Sequence, residues 1–204
     1  MSRVIKMTAV AERPMDVGAL RSRREIVPSS LLGMLIFVGT EVMFFAGLIS
    51  AFTISRAGAA RADWVLPGGQ LLPVVATAVN TVALAVSGAL VWHAGRQYRA
   101  RASGAAQTLL AATILGALFV VLQGREWVGL IRHGVTLWSK GLGAFFYVIV
   151  GAHAVHAAGA LVAKSIAWWR LRARRLSPGF LLGVQTFWYF VVLIWPVIYV
   201  RVYF

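Results

Sequence analysis

Five apolar runs dominate this sequence, each close to or above the roughly 18–20 residues needed to cross a hydrocarbon core about 30 Å thick. They lie near 30–55, 71–94, 105–122 with continuation toward 131, 142–166 and 178–204. Lipid cannot hydrogen-bond a free backbone, so each run is expected to be a helix. The runs are continuously apolar rather than alternating, which argues against a β-barrel. Hydrophobic residues make up 60% of the chain and charged ones 13%, against about 45–50% and about 25% in soluble domains. The expected fold is therefore an all-α integral membrane protein, a bundle of five transmembrane helices.

The formal net charge is +14. In a soluble chain this would suggest nucleic acid, but here the bases gather between the apolar runs, the pattern of the positive-inside rule. Counting in alternate segments, Lys and Arg number fourteen on one side and six on the other. The heavier side comprises the first 27 residues, then Arg96, Arg99 and Arg101, then Lys164, Arg170, Arg172, Arg174 and Arg175. That side is taken as cytoplasmic, which places the N-terminus inside and the C-terminus outside. Residues 1–27 mix Arg3, Lys6 and Arg13 with Glu12, Asp16 and Glu25 and lack the apolar stretch of a secretory signal. They are expected to form a basic cytoplasmic extension, with residues 28–204 as the membrane domain. Small residues such as Gly151, Ala154, Ala158 and Gly159 suit close helix approach.

The chain has no cysteine, which excludes disulfides, iron–sulfur clusters and thiolate nucleophiles. Glu41 sits near the middle of the first run, where a carboxylate is expensive and is by default a functional candidate. It either fixes packing by hydrogen-bonding another helix or serves proton uptake, lipid headgroup binding or a partner contact. Glu126 ends the third run between Arg125 and Trp127; it is either half of an interfacial ion pair or the partner of a His on the fourth run. His153 and His156 lie three apart and share a helix face. They suit a buried polar network with Glu41 or Glu126, or, with a carboxylate, a metal. His93, near the basic end of its run, is the remaining candidate for a facing haem ligand, a geometry that its position disfavours. Asn80, Thr81, Ser87 and Gln185 can hydrogen-bond across helices. Pro196 is expected to kink the last helix. No phosphate loop, zinc-protease motif or nucleophile elbow is present, so no catalytic, cofactor-binding or metal-ligating residue is assigned.

Taken in order, these segments resemble subunit III of the haem–copper oxidases. The run Leu32-Gly33-Met34-Leu35-Ile36-Phe37 leading to Glu41-Val42-Met43-Phe44-Phe45 is similar to the family's first core helix with its buried Glu. Asn80-Thr81, Leu84 and Ser87-Gly88 resemble its Asn-Thr…Leu…Ser-Gly helix, with His93 where that helix often ends in His. Gln123 to Trp127 resembles its Gln-x-x-Glu-aromatic segment, and Phe145-Phe146, Gly151, His153, His156 and Gly159 its paired-His helix. The last helix departs from the family's usual Trp-His-Phe-Val-Asp-x-x-Trp: Tyr189 and Val192 replace the His and the Asp. Losing both avoids leaving one polar group unpaired in lipid. Members of mitochondrial type have seven spans; this chain resembles the shorter quinol oxidase and bacterial members that lack the first two.

The resemblance implies a subunit of a proton-pumping terminal oxidase in a bacterial cytoplasmic membrane, itself without redox metals. Haem and copper would reside in its partners, the catalytic subunit I and a subunit II of copper-bearing or quinol-oxidase type. Phospholipid would occupy a cleft between two helix groups. By residue, Glu41 would be the cleft carboxylate; His153, His156 and Glu126 would form a polar network; Arg96 and nearby bases would meet phosphate headgroups. Two alternatives are a subunit III-like protein of nitric oxide reductase and a small proton-coupled transporter using Glu41 and the His pair. Against the transporter, the sequence has no inverted repeat and no paired broken helices.

Overall fold

The computed structural model describes residues 29–59, 72–136, 138 and 141–204. The expected extension at 1–27 lies outside them, as do most of the first loop and Lys140. Five helices follow in order: α1 (Ser29–Gly58), α2 (Val74–Arg99), α3 (Ala105–Arg132), α4 (Leu142–Arg172) and α5 (Pro178–Tyr203). At 1.5 Å per residue the shortest, of 26 residues, is about 39 Å long, and all five are long and apolar enough to span a bilayer. Most run further than the apolar stretches alone suggest, because the helices carry on into their flanking arginines. In α4 this adds the turn containing Arg170 and Arg172.

Helices α2, α3, α4 and α5 form a closed ring in which α2 packs on α3, α3 on α4, α4 on α5 and α5 on α2. Helix α1 stands outside this ring, packed along α5 and more lightly on α4. It is the least buried helix and α5 the most buried. At one end of the α1–α5 contact the Phe37 ring meets Phe187 at 5.6 Å. At the other, the Arg56 guanidinium donates to the backbone oxygen of Phe204 at 2.9 Å. The two helices therefore run parallel, while neighbours around the ring alternate in direction.

Helix ends obey local chemistry. Ser177 caps α5, its Oγ accepting from the Phe180 N–H at 3.3 Å, with Pro178 in the first turn. Three other helices close with one and the same C-terminal motif, in which a residue with positive φ follows the last turn and two backbone N–H groups fold back onto free carbonyls. On α3 that residue is Gly134 (φ 82°), with Gly134 N–H on Ile131 and Val135 N–H on Leu130. On α2 it is Arg101 (φ 54°), with bonds from Arg101 to Tyr98 and from Ala102 to Gln97. On α4 it is Arg174 (φ 54°), with bonds from Arg174 to Leu171 and from Arg175 to Arg170. A side chain in this conformation is disfavoured by roughly 1–2 kcal/mol relative to glycine.

One expectation is corrected here. Lys164, counted above among the loop bases, is fully buried within α4. Ala157, Ala160, Lys164 and Ala167 form one buried stripe on that helix, a spacing of three and four residues that marks a single face. The charge asymmetry survives with one base fewer on the heavier side. Pro196 lies inside α5, which continues helically through it to Tyr203.

Candidate functional site

The interior of the ring is a column of polar and aromatic groups rather than uniform aliphatic packing. Near the far end, Gln123 donates to the Tyr203 hydroxyl at 3.1 Å, and Asn80 donates to the Phe119 carbonyl at 3.1 Å and to the Gln123 side chain at 3.3 Å. Trp195 Nε1 donates to Thr81 Oγ1 at 2.8 Å, and Thr81 in turn donates to the Thr77 carbonyl at 2.7 Å. Toward the basic end, Ser87 donates to the Ala112 carbonyl at 2.7 Å and Gln185 to the Val91 carbonyl at 3.0 Å. These bonds tie α2 to α3 and to α5, the cross-helix role expected of Asn80, Thr81, Ser87 and Gln185.

The sequence reading missed one member of this column. The Lys164 amino group donates to the Ala112 carbonyl at 3.2 Å and toward Ser87 Oγ at 3.5 Å, and sits 3.1 Å from the centre of the Trp188 ring. Gly116 makes the room: a Cβ there would lie 2.7 Å from the Trp188 ring and 2.9 Å from Lys164 Nζ. Among the described residues no carboxylate pairs with this lysine.

Glu41 reaches out of α1 to the ring. Its Oε2 lies 2.8 Å from His156 Nε2 on α4, both side chains being mostly buried. His156 Nδ1 is 2.7 Å from the Ala152 carbonyl, which can only accept. The hydrogen on Nδ1 is thereby assigned, which leaves Nε2 to face the Glu41 carboxyl. Phe45, Phe187 and Phe190 enclose the imidazole at centroid distances of 5.4, 6.3 and 5.9 Å. Beside this pair, α1 and α5 leave an apolar groove of about 350 Å³ lined by Val38, Val42, Tyr189, Phe190 and Leu193.

The other candidates separate. His153, three residues from His156, turns into the ring, stacks on Trp195 at 4.8 Å and meets Phe119 edge-on; neither ring nitrogen has a hydrogen-bond partner. The two imidazoles thus enter different surroundings. Glu126 is half-buried at the far end of α3 and makes no ion pair among the described residues. Among the described residues no hydrogen bond joins His153, His156 and Glu126: His156 meets Glu41 of α1, whereas His153 lies against Phe119 and Trp195 inside the ring. His93 is exposed near the basic end and bonds Gln97 on its own helix at 3.1 Å. Arg96 lies over the Trp92 ring at 4.9 Å. Tyr189 lines the groove beside α1, whereas Val192 packs against Gly88 of α2.

Five apolar helices, four closing on a polar column and one held outside by a carboxyl–imidazole pair, define a multi-pass membrane protein of helical-bundle type. Residues 22–204 match the family model described as cytochrome c oxidase subunit III. The chain belongs to that family. It is 27% identical over 177 residues to the cytochrome c oxidase subunit 3 of Corynebacterium diphtheriae, covering 85% of this chain and 86% of that one. It is 29% identical over 176 residues to the probable cytochrome c oxidase subunit 3 of Mycobacterium leprae, with the same coverage of 85% and 86%. Against the subunit 3 of the fungus Pyricularia grisea it is 29% identical over 185 residues, covering 85% of this chain and 66% of that one.

Proposed function

We propose that this chain is the non-catalytic subunit III of a proton-pumping terminal oxidase, seated on a haem–copper subunit I beside a subunit II. Redox metals reside in those partners. The basic end faces the cytoplasm of a bacterial cell and the C-terminus faces outside. The observation that supports this reading is the Glu41–His156 pair, a carboxyl in contact with an imidazole at a seam between one outer helix and a closed ring. A carboxyl placed there can take up and return a proton while His156 keeps it desolvated and oriented. The adjoining groove, mainly apolar with Thr186 and Tyr189 in its lining, suits an acyl chain, so the same seam holds phospholipid.

A tagged chain isolated in mild detergent tests this reading. The expected result is co-purification of a larger haem-bearing subunit, seen in the visible spectrum, together with a subunit II. Recovery of the folded chain alone and colourless would overturn it. In the assembled oxidase, Glu41→Gln is expected to leave assembly intact while sustained turnover falls or decays sooner; unchanged turnover would remove the proton role and leave packing.

A further inference from the structure

At the basic end of the ring the α2–α3 turn and the α4–α5 turn enclose a crevice of about 670 Å³, lined by Tyr98, Arg101, Leu171, Arg174 and Leu176 among others. The Tyr98 hydroxyl pins the two turns together by donating to the Leu176 carbonyl at 2.7 Å. Arg101 and Arg174 hold equivalent places in two copies of one helix-ending motif, and both hold them at positive φ. The motif does not require arginine: on α3, at the opposite end of the bundle, the same place is filled by Gly134. The chain thus accepts backbone strain twice, and both strained residues line the same crevice. Strained backbone of this kind clusters at ligand clamps and other functional sites.

Three neighbouring bases are engaged by aromatic rings, and Arg99 and Arg175 do not line the crevice. Arg96, Arg170 and Arg172 lie over the rings of Trp92, Phe180 and Trp168 at 4.9, 4.4 and 5.6 Å. Arg101 and Arg174 make no such contact and no ion pair among the described residues. The carboxyls on the described helices, Glu41 and Glu126, lie at mid-helix and at the far end. Arg101 and Arg174 thus bring two unengaged guanidinium groups to one crevice, each a planar fork of donors suited to the oxygens of a phosphate.

We infer that this crevice binds a phosphate-bearing anion between Arg101 and Arg174, either the headgroup of an anionic phospholipid or free phosphate. The site lies at the opposite end of the bundle from Glu126 and is separate from the groove between α1 and α5. Its test uses the full-length chain in mild detergent with the subunits that accompany it. Binding of phosphatidylglycerol is measured by native mass spectrometry, with phosphatidylcholine as the neutral comparison. The double variant Arg101→Gly/Arg174→Gly removes the fork and relieves the backbone, so it is expected to unfold no earlier than wild type. It should bind phosphatidylglycerol at least about tenfold more weakly, the loss of a charge-assisted contact. Should the glycine pair misfold, Arg101→Asn/Arg174→Asn carries the test, because asparagine tolerates positive φ. The control Arg99→Gln/Arg175→Gln takes the same charge from the same turns and is expected to leave binding intact. If inorganic phosphate displaces the lipid at millimolar concentration, the free ion is the ligand; if it does not, the headgroup is. Equal loss in the crevice and control variants, or no loss in either, would overturn the site.

Discussion

Lys164 offers a test of what a buried base does for a membrane bundle. Its amino group is cut off from water, and excluding a charge from solvent costs several kcal/mol even after relaxation. Against this stand one good hydrogen bond, to the Ala112 carbonyl at 3.2 Å, and the Trp188 ring at 3.1 Å. The first contributes about 1.5–3 kcal/mol for a charged donor and the second about 2 kcal/mol when desolvated. The terms nearly cancel, so the head group should be close to neutral for stability and the four-carbon stem should carry the favourable part. Lys164→Met keeps the stem's volume and sets a thioether against Trp188, a contact of about 0.3–1.5 kcal/mol. It orphans nothing, since the Ala112 carbonyl retains Ser87 as donor at 2.7 Å. The methionine variant is expected to lie within about 1 kcal/mol of wild type, or above it. Lys164→Ala deletes the stem and opens a cavity, for a loss of about 2–5 kcal/mol. Lys164→Glu points an anion at a carbonyl and at the negative face of an indole, and should lose about 3–5 kcal/mol or fail to assemble. The chain has eight tryptophans, so the series is read by circular dichroism during denaturant or thermal unfolding in micelles. A methionine variant as unstable as the alanine variant would show that the base is net stabilising and would refute the cancellation.

Other outcomes follow from the same packing. Gly116→Ala should lose about 1–3 kcal/mol by overpacking, since the new methyl meets buried Trp188 at 2.7 Å. Gly129→Ala, on the same helix with nothing within 4 Å of the added carbon, should gain up to about 1 kcal/mol from helix propensity; thermal melts of the two variants check the pair. A double-mutant cycle on Glu41→Ala and His156→Ala, read by unfolding in micelles, should give a coupling of about 1–2 kcal/mol, and additive losses would mean that the 2.8 Å contact is energetically idle. Trp195→Phe should cost about 1 kcal/mol through the lost bond to Thr81, while Trp195→Tyr, whose hydroxyl is placed differently, should not restore it; the melting temperature again decides.

The number of helices and their span were legible because lipid enforces both: a run of apolar residues of that length has one solution. The cross-helix bonds of Asn80, Ser87 and Gln185 were legible for the same reason, as a polar group in a span must find a partner. The partner itself was not. Glu41 could have met either histidine or neither, and its pairing with His156 depends on the angular position of α1 against α4, which no local pattern encodes. Glu126 looked equally suited to a histidine, yet it lies near the helix terminus, too far along α3 to share their level. Lys164 was misread because it precedes a run of arginines by six residues and composition assigns it to them. The signal that corrects it was present: alanines at 157, 160 and 167 share its face at the spacing of a helix in close contact. The crevice at the basic end was invisible in sequence, because the two turns that build it are 73 residues apart, from Arg101 to Arg174.

The parallel placement of α1 beside α5 fixes an order of events during synthesis. Helix α1 is made before both of the helices it packs on, α4 and α5. Glu41 and His156 are 115 residues apart, so at about 5–20 residues per second the carboxyl resides in the membrane for roughly 6–23 s before its imidazole exists. Throughout that interval α2 and α3 can already zip into an antiparallel hairpin, while α1 remains an unclaimed helix carrying a mark of incompleteness at its centre. A chain that stops short of α4 keeps the Glu41 carboxyl in its span without the imidazole that pairs with it, at the cost a lone ionisable group carries in lipid.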